Sequence, residues 1–128
     1  LHFKIHDFTA VNFANADMVG HTGNFEATQK AVETVDQCLE KIHQKLQEED
    51  GLLFITADHG NADIMIDEAS GRLFTFHTKN PVPFLALGKG LEGTVWREGG
   101  RLADVTPTIL DFIEIQSPEE MTGKSLRR

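Results

Sequence analysis

The chain has 128 residues, 40% hydrophobic and 25% charged. That is the length of one domain and the composition of a globular one, which excludes a disordered, collagenous or coiled-coil chain. Twelve basic against twenty acidic residues leave a net charge of −8. Without a dense Lys/Arg cluster there is nothing to replace the counterions of a nucleic acid or to hold an acidic membrane surface, whereas an excess of carboxylates suits a cation.

No apolar run approaches the ~18 residues needed to span a bilayer. The first twenty residues carry Lys4, Asp7 and Asp17 and lack the apolar core of a signal peptide. The single cysteine, Cys38, forms no internal disulfide and allows a reducing compartment. Leu1 stands where an initiator methionine is expected, so we read the chain as processed or as a piece of a longer one.

In chain order, Thr9–Ala14 is short, mostly apolar and β-compatible, and predicts a buried strand. Asn15 to Gly23 predicts a loop. From Asn24 to Asp50 the period changes. Ala27, Ala31, Val32, Val35, Cys38, Leu39, Ile42 and Leu46 recur at three- and four-residue steps, the stripe of one helix face. Asn24 would cap that helix, and Gly51 would end it in a left-handed conformation. Leu52–Ala57 is a continuous apolar run, which suits a strand covered on both faces. Strand, helix and strand together predict a βαβ unit with parallel strands.

Residues 63–78 read as a hairpin turning near Ser70-Gly71, and Phe84–Leu87 as a third strand ending at Gly88. Leu91 to Gly100 reads as a glycine-spaced loop in which Trp96 packs. A helix follows from Asp104 to about Ile113, with Pro107 in its first turn and Ser117-Pro118 as its stop. The expected fold class is α/β, a mostly parallel sheet with covering helices, in one domain over residues 1–128. Phe13, Val35, Leu39, Ile42, Phe54, Ile55, Phe84 and Leu87 are its expected core. His2, His6 and His43 read as surface residues.

The chemistry concentrates at strand ends. Asp17 and His21 follow the first expected strand, and Asp58 and His59 the second. Ligands of open α/β sheets gather beyond the carboxyl ends of parallel strands, so the two pairs should meet there. His77 precedes the third strand. It joins them only if Phe84–Leu87 runs antiparallel to its neighbours, or if the 63–78 excursion carries His77 back. Mixed Asp/His ligation suits Mn²⁺ or Zn²⁺ better than Ca²⁺. Five such groups exceed one ion's needs and suggest two, a recurring device of phosphoryl transfer. Singly, each residue also has a structural reading as a turn, cap or hydrogen-bonded polar group.

Three longer blocks carry a resemblance. Asn12-Phe13-Ala14-Asn15-Ala16-Asp17-Met18-Val19-Gly20-His21-Thr22-Gly23, Thr56-Ala57-Asp58-His59-Gly60-Asn61-Ala62 and His77-Thr78-Lys79-Asn80-Pro81-Val82-Pro83 resemble signatures of the cofactor-independent phosphoglycerate mutases, of the alkaline phosphatase superfamily. Asp104–Leu110 and Met121–Leu126 resemble that family's closing stretch. The resemblance implies an alkaline phosphatase-like fold and a cytoplasmic enzyme of glycolysis. Such an enzyme interconverts 3-phosphoglycerate and 2-phosphoglycerate through a phosphoserine, with two Mn²⁺ ions, or Zn²⁺, Co²⁺ or Mg²⁺ in some relatives. It implies that Asp17, His21 and His77 ligate one ion, and Asp58 and His59 the other.

The family's nucleophilic serine, a further metal-binding aspartate and the substrate domain have no counterpart in this sequence. The chain is therefore expected to be the C-terminal metal-binding part of the phosphatase domain, with no mutase activity by itself and no assignable substrate-binding residue. Ala16 replaces a usual proline and Lys79 a usual threonine. The other readings are a different phosphotransferase of the superfamily, a non-catalytic metal-binding module, and a generic α/β domain whose Asp and His residues are structural.

Overall fold

The computed structural model describes residues 6–128; His2 lies outside them. The framework is a long helix laid against a two-stranded sheet, with a short helix before it and another near the end of the chain.

Residues 9–14, expected to be a buried strand, take part in no strand ladder, and Val11 is 53% exposed. β-compatible composition makes a strand only where a neighbouring backbone is available to pair with it, and no described segment lies beside this one as a ladder partner. The expected loop after it opens instead as a short helix, α1 (Asn15–Gly20). It begins where the Met18 N–H reaches the Ala14 carbonyl at 2.9 Å. Thr22 then closes the chain into a turn with its N–H on the Val19 carbonyl.

Helix α2 (Phe25–Glu48) follows the predicted periodicity closely. The Asn24 side-chain oxygen accepts the Ala27 N–H at 3.0 Å, satisfying one of the free donors of the first turn. At the other end the left-handed residue is Asp50 (φ 54°), not Gly51. Aspartate is one of the few non-glycine residues that tolerates this region. The turn is held by the Gly51 N–H on the Leu46 carbonyl, 2.8 Å away.

Strand β1 (Leu52–Thr56) pairs with β2 (Phe84–Gly88), and the pairing is antiparallel, with Phe54 opposite Ala86 and Thr56 opposite Phe84. The mixed α/β class holds, but the parallel βαβ unit does not form among the described residues. Its first strand has no ladder, and β1 has β2 alone as a partner. The antiparallel direction is one of the two arrangements that would bring His77 to the other ligands, and the return of the 63–78 excursion is the other. Between the strands the chain makes the expected excursion. Ile66 bridges Leu73, the Asp67 N–H reaches the Arg72 carbonyl at 2.9 Å, and the turn lies at Ser70-Gly71.

Helix α3 (Val105–Phe112) grows out of a 3-10 turn over Leu102–Asp104. Pro107 sits in its first turn as expected. The helix stops earlier than Ser117-Pro118, because Glu114 turns left-handed (φ 57°) and the Ile115 N–H returns to the Leu110 carbonyl.

The core is thin. Among the described residues Met65, Leu126 and Pro107 are buried apolar side chains, and all eight expected core residues are only half-buried. The densest packing is aromatic. Phe54 lies 6.0 Å from Phe84 and 5.5 Å from Phe112, and Trp96 meets both Phe84 and Phe112. Arg127 covers the Phe112 ring at 4.9 Å. Cys38 is half-buried on the inner stripe of α2.

The closing residues are pinned by Asp104, which is 2% exposed. Its carboxylate accepts the backbone N–H groups of Lys124 and Arg101, each at 2.9 Å, and pairs with Arg97 at 3.0 Å. These contacts hold the carboxyl at about 2, well below its ordinary value. The Lys124 N–H is the largest influence, opposed by burial and reinforced by Arg101 and Arg97.

Candidate metal centre

Three separate segments bring the five residues together. Asp17 and His21 lie one helical turn apart on α1 and its cap. That i, i+4 spacing puts both on one side of the helix, with His21 Nε2 3.3 Å from Asp17 Oδ1. Asp58 and His59 follow the C-terminal end of β1. His77 comes from the return arm of the excursion, where the Thr78 N–H donates to the Gly60 carbonyl at 2.8 Å. That bridge sets the residue after His77 against the residue after His59, and the two imidazoles stack with centroids 3.6 Å apart.

Asp17 is the hub. Its Oδ1 lies 3.2 Å from His77 Nε2 and accepts the Asn61 Nδ2–H at 2.8 Å. One ligand atom each from Asp17, His59 and His77 lies within 4.8 Å of the others, close enough to share a single ion. His21 completes the group, its Nε2 3.1 Å from His77 Nε2. Asp58 stands at the rim, its side chain 84% exposed and its Oδ2 3.5 Å from His59 Nε2. The arrangement is one contiguous group of five. His59 groups with Asp17 and His77 as well as standing beside Asp58.

The donor set fits a divalent cation. His21 Nδ1 donates to the Thr75 carbonyl at 2.7 Å, so Nε2 of the neutral ring is an acceptor. It faces Asp17 Oδ1, also an acceptor, and two lone-pair atoms 3.3 Å apart call for something positive between or beside them. His59 Nδ1 is buried with no hydrogen-bond partner, and a buried ring nitrogen in that condition is costly. Carboxylate with imidazole is the donor chemistry of Mn²⁺, Co²⁺ and Zn²⁺ sites.

The electrostatics agree. Burial pushes the Asp17 carboxyl upward, but the Asn61 hydrogen bond and the electrostatic influence of the neighbouring imidazoles outweigh it and hold it below its usual range. The carboxylate is therefore anionic at neutral pH, the form that ligates.

Two residues that the sequence reading left without a role belong to this group. Asn61, 6% exposed, donates from Nδ2 to both Asp17 and His21 Nε2. Asp63 accepts from the Thr78 hydroxyl at 2.8 Å and from Asn80 Nδ2 at 2.7 Å. A Cβ at Gly20 would lie 2.5 Å from Asn61 Oδ1, so any larger residue there would push the Asn61 side chain from its place. An Asn two positions after a ligand histidine is the signal that could have pointed to Asn61.

A mixed α/β chain with clustered carboxylate and imidazole groups beside a strand end defines a metal-site protein. The model of the Metalloenzyme superfamily matches residues 1–117, and the chain belongs to that superfamily. It is 54% identical over 120 residues to the 2,3-bisphosphoglycerate-independent phosphoglycerate mutase of Clostridioides difficile (strain 630), covering 94% of this chain and 24% of that protein. It is equally similar, at 54% over 121 residues, to the mutase of Clostridium botulinum (strain ATCC 19397 / Type A), covering 23% of it. The fold matches that of a Leishmania mexicana phosphoglycerate mutase studied at low cobalt concentration, with a TM-score of 0.79 and 36% identity over 91% of this chain and 24% of that one. The chain thus spans about a quarter of the length of the curated relatives it matches. No helix among the described residues is long and apolar enough to cross a membrane.

Proposed function

We propose that this chain supplies the metal-binding part of a cofactor-independent phosphoglycerate mutase, an isomerase that interconverts 3-phosphoglycerate and 2-phosphoglycerate in the cytoplasm as a step of glycolysis. The observation that carries the reading is the convergence of Asp17, His21, His59 and His77 from three segments, with Asp58 at the rim. Identity to named mutases across nearly the whole chain supports the substrate. In this reading Asp17, His21 and His77 hold one Mn²⁺, and Asp58 and His59 contribute to a second. Co²⁺, Zn²⁺ and Mg²⁺ are the other candidates.

When bound, the ions supply positive charge against the phosphoryl oxygens and ease ionisation of the hydroxyl that attacks. The chain's own residues prepare for this. The Thr75 carbonyl holds the His21 ring with Nε2 facing the site. The Asn61 hydrogen bond favours the anionic form of Asp17. Stacking of His59 on His77 fixes both rings side by side. The resemblance places the nucleophilic serine in a stretch that this sequence does not contain, so the 128-residue chain alone is inactive in this reading.

The test is Mn²⁺ titration of the complete natural gene product that carries this sequence, followed by calorimetry. Binding is expected, and His77→Ala should weaken it by more than about tenfold, since a lost ligand costs at least what a lost supporting contact does. Unchanged affinity in that variant would overturn the assignment.

A further inference from the structure

Three ligand-bearing segments meet at the centre, and a single short turn touches the other two. After His59 the chain runs through Gly60, Asn61, Ala62 and Asp63. Asn61 reaches one way, donating Nδ2–H to Asp17 Oδ1 at 2.8 Å and to His21 Nε2 at 3.2 Å. Asp63 reaches the other way. Its Oδ2 accepts the Thr78 hydroxyl at 2.8 Å and Asn80 Nδ2 at 2.7 Å, clamping the residues that follow His77.

We propose that Asn61 and Asp63 are positioning residues forming a cross-brace, which registers Asp17 on one side and His77 on the other to the His59 segment. The inference rests on the metal-centre reading above.

The contacts are suited to that task. Asp17 and His77 are 60 residues apart in sequence, and no secondary-structure ladder joins their segments. Asn61 is nearly buried and its Oδ1 has no partner, so a polar group is kept inside at a cost that bulk packing would not require. Its Nδ2–H polarises Asp17 Oδ1, an oxygen that keeps a second lone pair for a cation, whereas the single lone pair of His21 Nε2 serves either Asn61 or an ion. Asp63 is an anion bonded to two neutral donors, and such charge-assisted bonds are the stronger kind. Partners behind the ligands of a metal site fix ring and carboxylate orientation, and their loss typically costs about 10–100-fold in affinity.

Co²⁺ serves as the probe, because its visible absorption reports ligand geometry as well as occupancy. It is titrated into the complete natural gene product, unsubstituted and carrying Asn61→Ala, Asp63→Asn, Asp63→Glu or Thr78→Val. Asn61→Ala and Asp63→Asn should each weaken Co²⁺ binding by about 10–100-fold and shift the visible bands, while Asp63→Glu recovers most of the affinity. Thr78→Val keeps the shape of the threonine and removes one Asp63 contact. It should give a smaller loss in the same direction, and it carries the Asp63 arm if Asp63→Asn fails to fold by circular dichroism. Unsubstituted affinity and spectrum in Asn61→Ala, or in both Asp63→Asn and Thr78→Val, would overturn the brace while leaving the metal centre standing. No Co²⁺ binding by the unsubstituted protein would overturn the metal-centre reading and the brace with it.

Discussion

At the scale of single residues, Asp104 shows how one buried carboxylate can order a chain end. It accepts two backbone N–H groups and the Arg97 guanidinium. Its folded pKa of about 2 lies below the ordinary 3.8, so the folded state binds its proton less readily than the unfolded state. The stabilisation is therefore complete above about pH 4 and is lost as pH falls towards 2. The difference amounts to about 2.5 kcal/mol, or roughly sixtyfold in an opening equilibrium. Hydrogen exchange at the Lys124 and Arg101 amides, corrected for intrinsic rates, should show that loss of protection across this window. Protection that stays level would mean Asp104 does not hold the tail.

The site is legible in the sequence at this scale for a specific reason. Asp17, His21, Asp58, His59 and His77 are of residue types whose commonest shared chemistry is ligation, although only Asp58 and His59 follow a strand that forms among the described residues. Asn61, Asp63 and the Thr75 carbonyl act through hydrogen bonds alone. Asn, Asp and a backbone oxygen do that almost everywhere, so nothing in their type separates them from ordinary turn residues.

At the scale of elements, α2 and the two strands were readable because their signals are local. The 3.6-residue stripe and the Asn24 cap need nothing from elsewhere in the chain. The expected strand over residues 9–14 failed because a strand is a relation between two segments, and its apolar run carries no information about its partner. The direction of β2 shows the opposite case. Connectivity suggested a parallel strand, while a place for His77 beside the other ligands called for either an antiparallel strand or a returning excursion, and the register of Phe54 with Ala86 is antiparallel. The cap makes a clean test of the local signal. Asn24→Ala removes the acceptor for the Ala27 N–H and should cost about 1 kcal/mol, within a range of about 0.5–2 for such caps. Asn24→Gly should cost only a few tenths. Urea midpoints of the two variants should fall in that order. Equal midpoints would show that the side-chain bond at 3.0 Å contributes nothing.

At the scale of the whole molecule, the described chain encloses less than its mass allows. It exposes 9621 Å², whereas a self-contained monomer of 14.3 kDa exposes roughly 6800 Å². The excess is apolar in part. Phe8, Met18, Phe25, Leu73 and Phe76 are each more than half exposed, and Leu85 of β2 is at 50%. A two-stranded sheet with one covering helix layer has free ladder edges and little interior, which is a marginal arrangement in water. The same geometry leaves the metal centre open on the side where Asp58 projects. Produced alone, the 128-residue chain should bind a dye that reports exposed apolar surface, associate at micromolar concentration, and show no mutase turnover with Mn²⁺ present. Sedimentation, dye fluorescence and a coupled assay on 3-phosphoglycerate measure the three. A compact, dye-silent monomer would mean that the thin core suffices. Turnover by that monomer would show that the chain supplies its own nucleophile, and Ser70, Ser117 and Ser125 would then be the residues to replace.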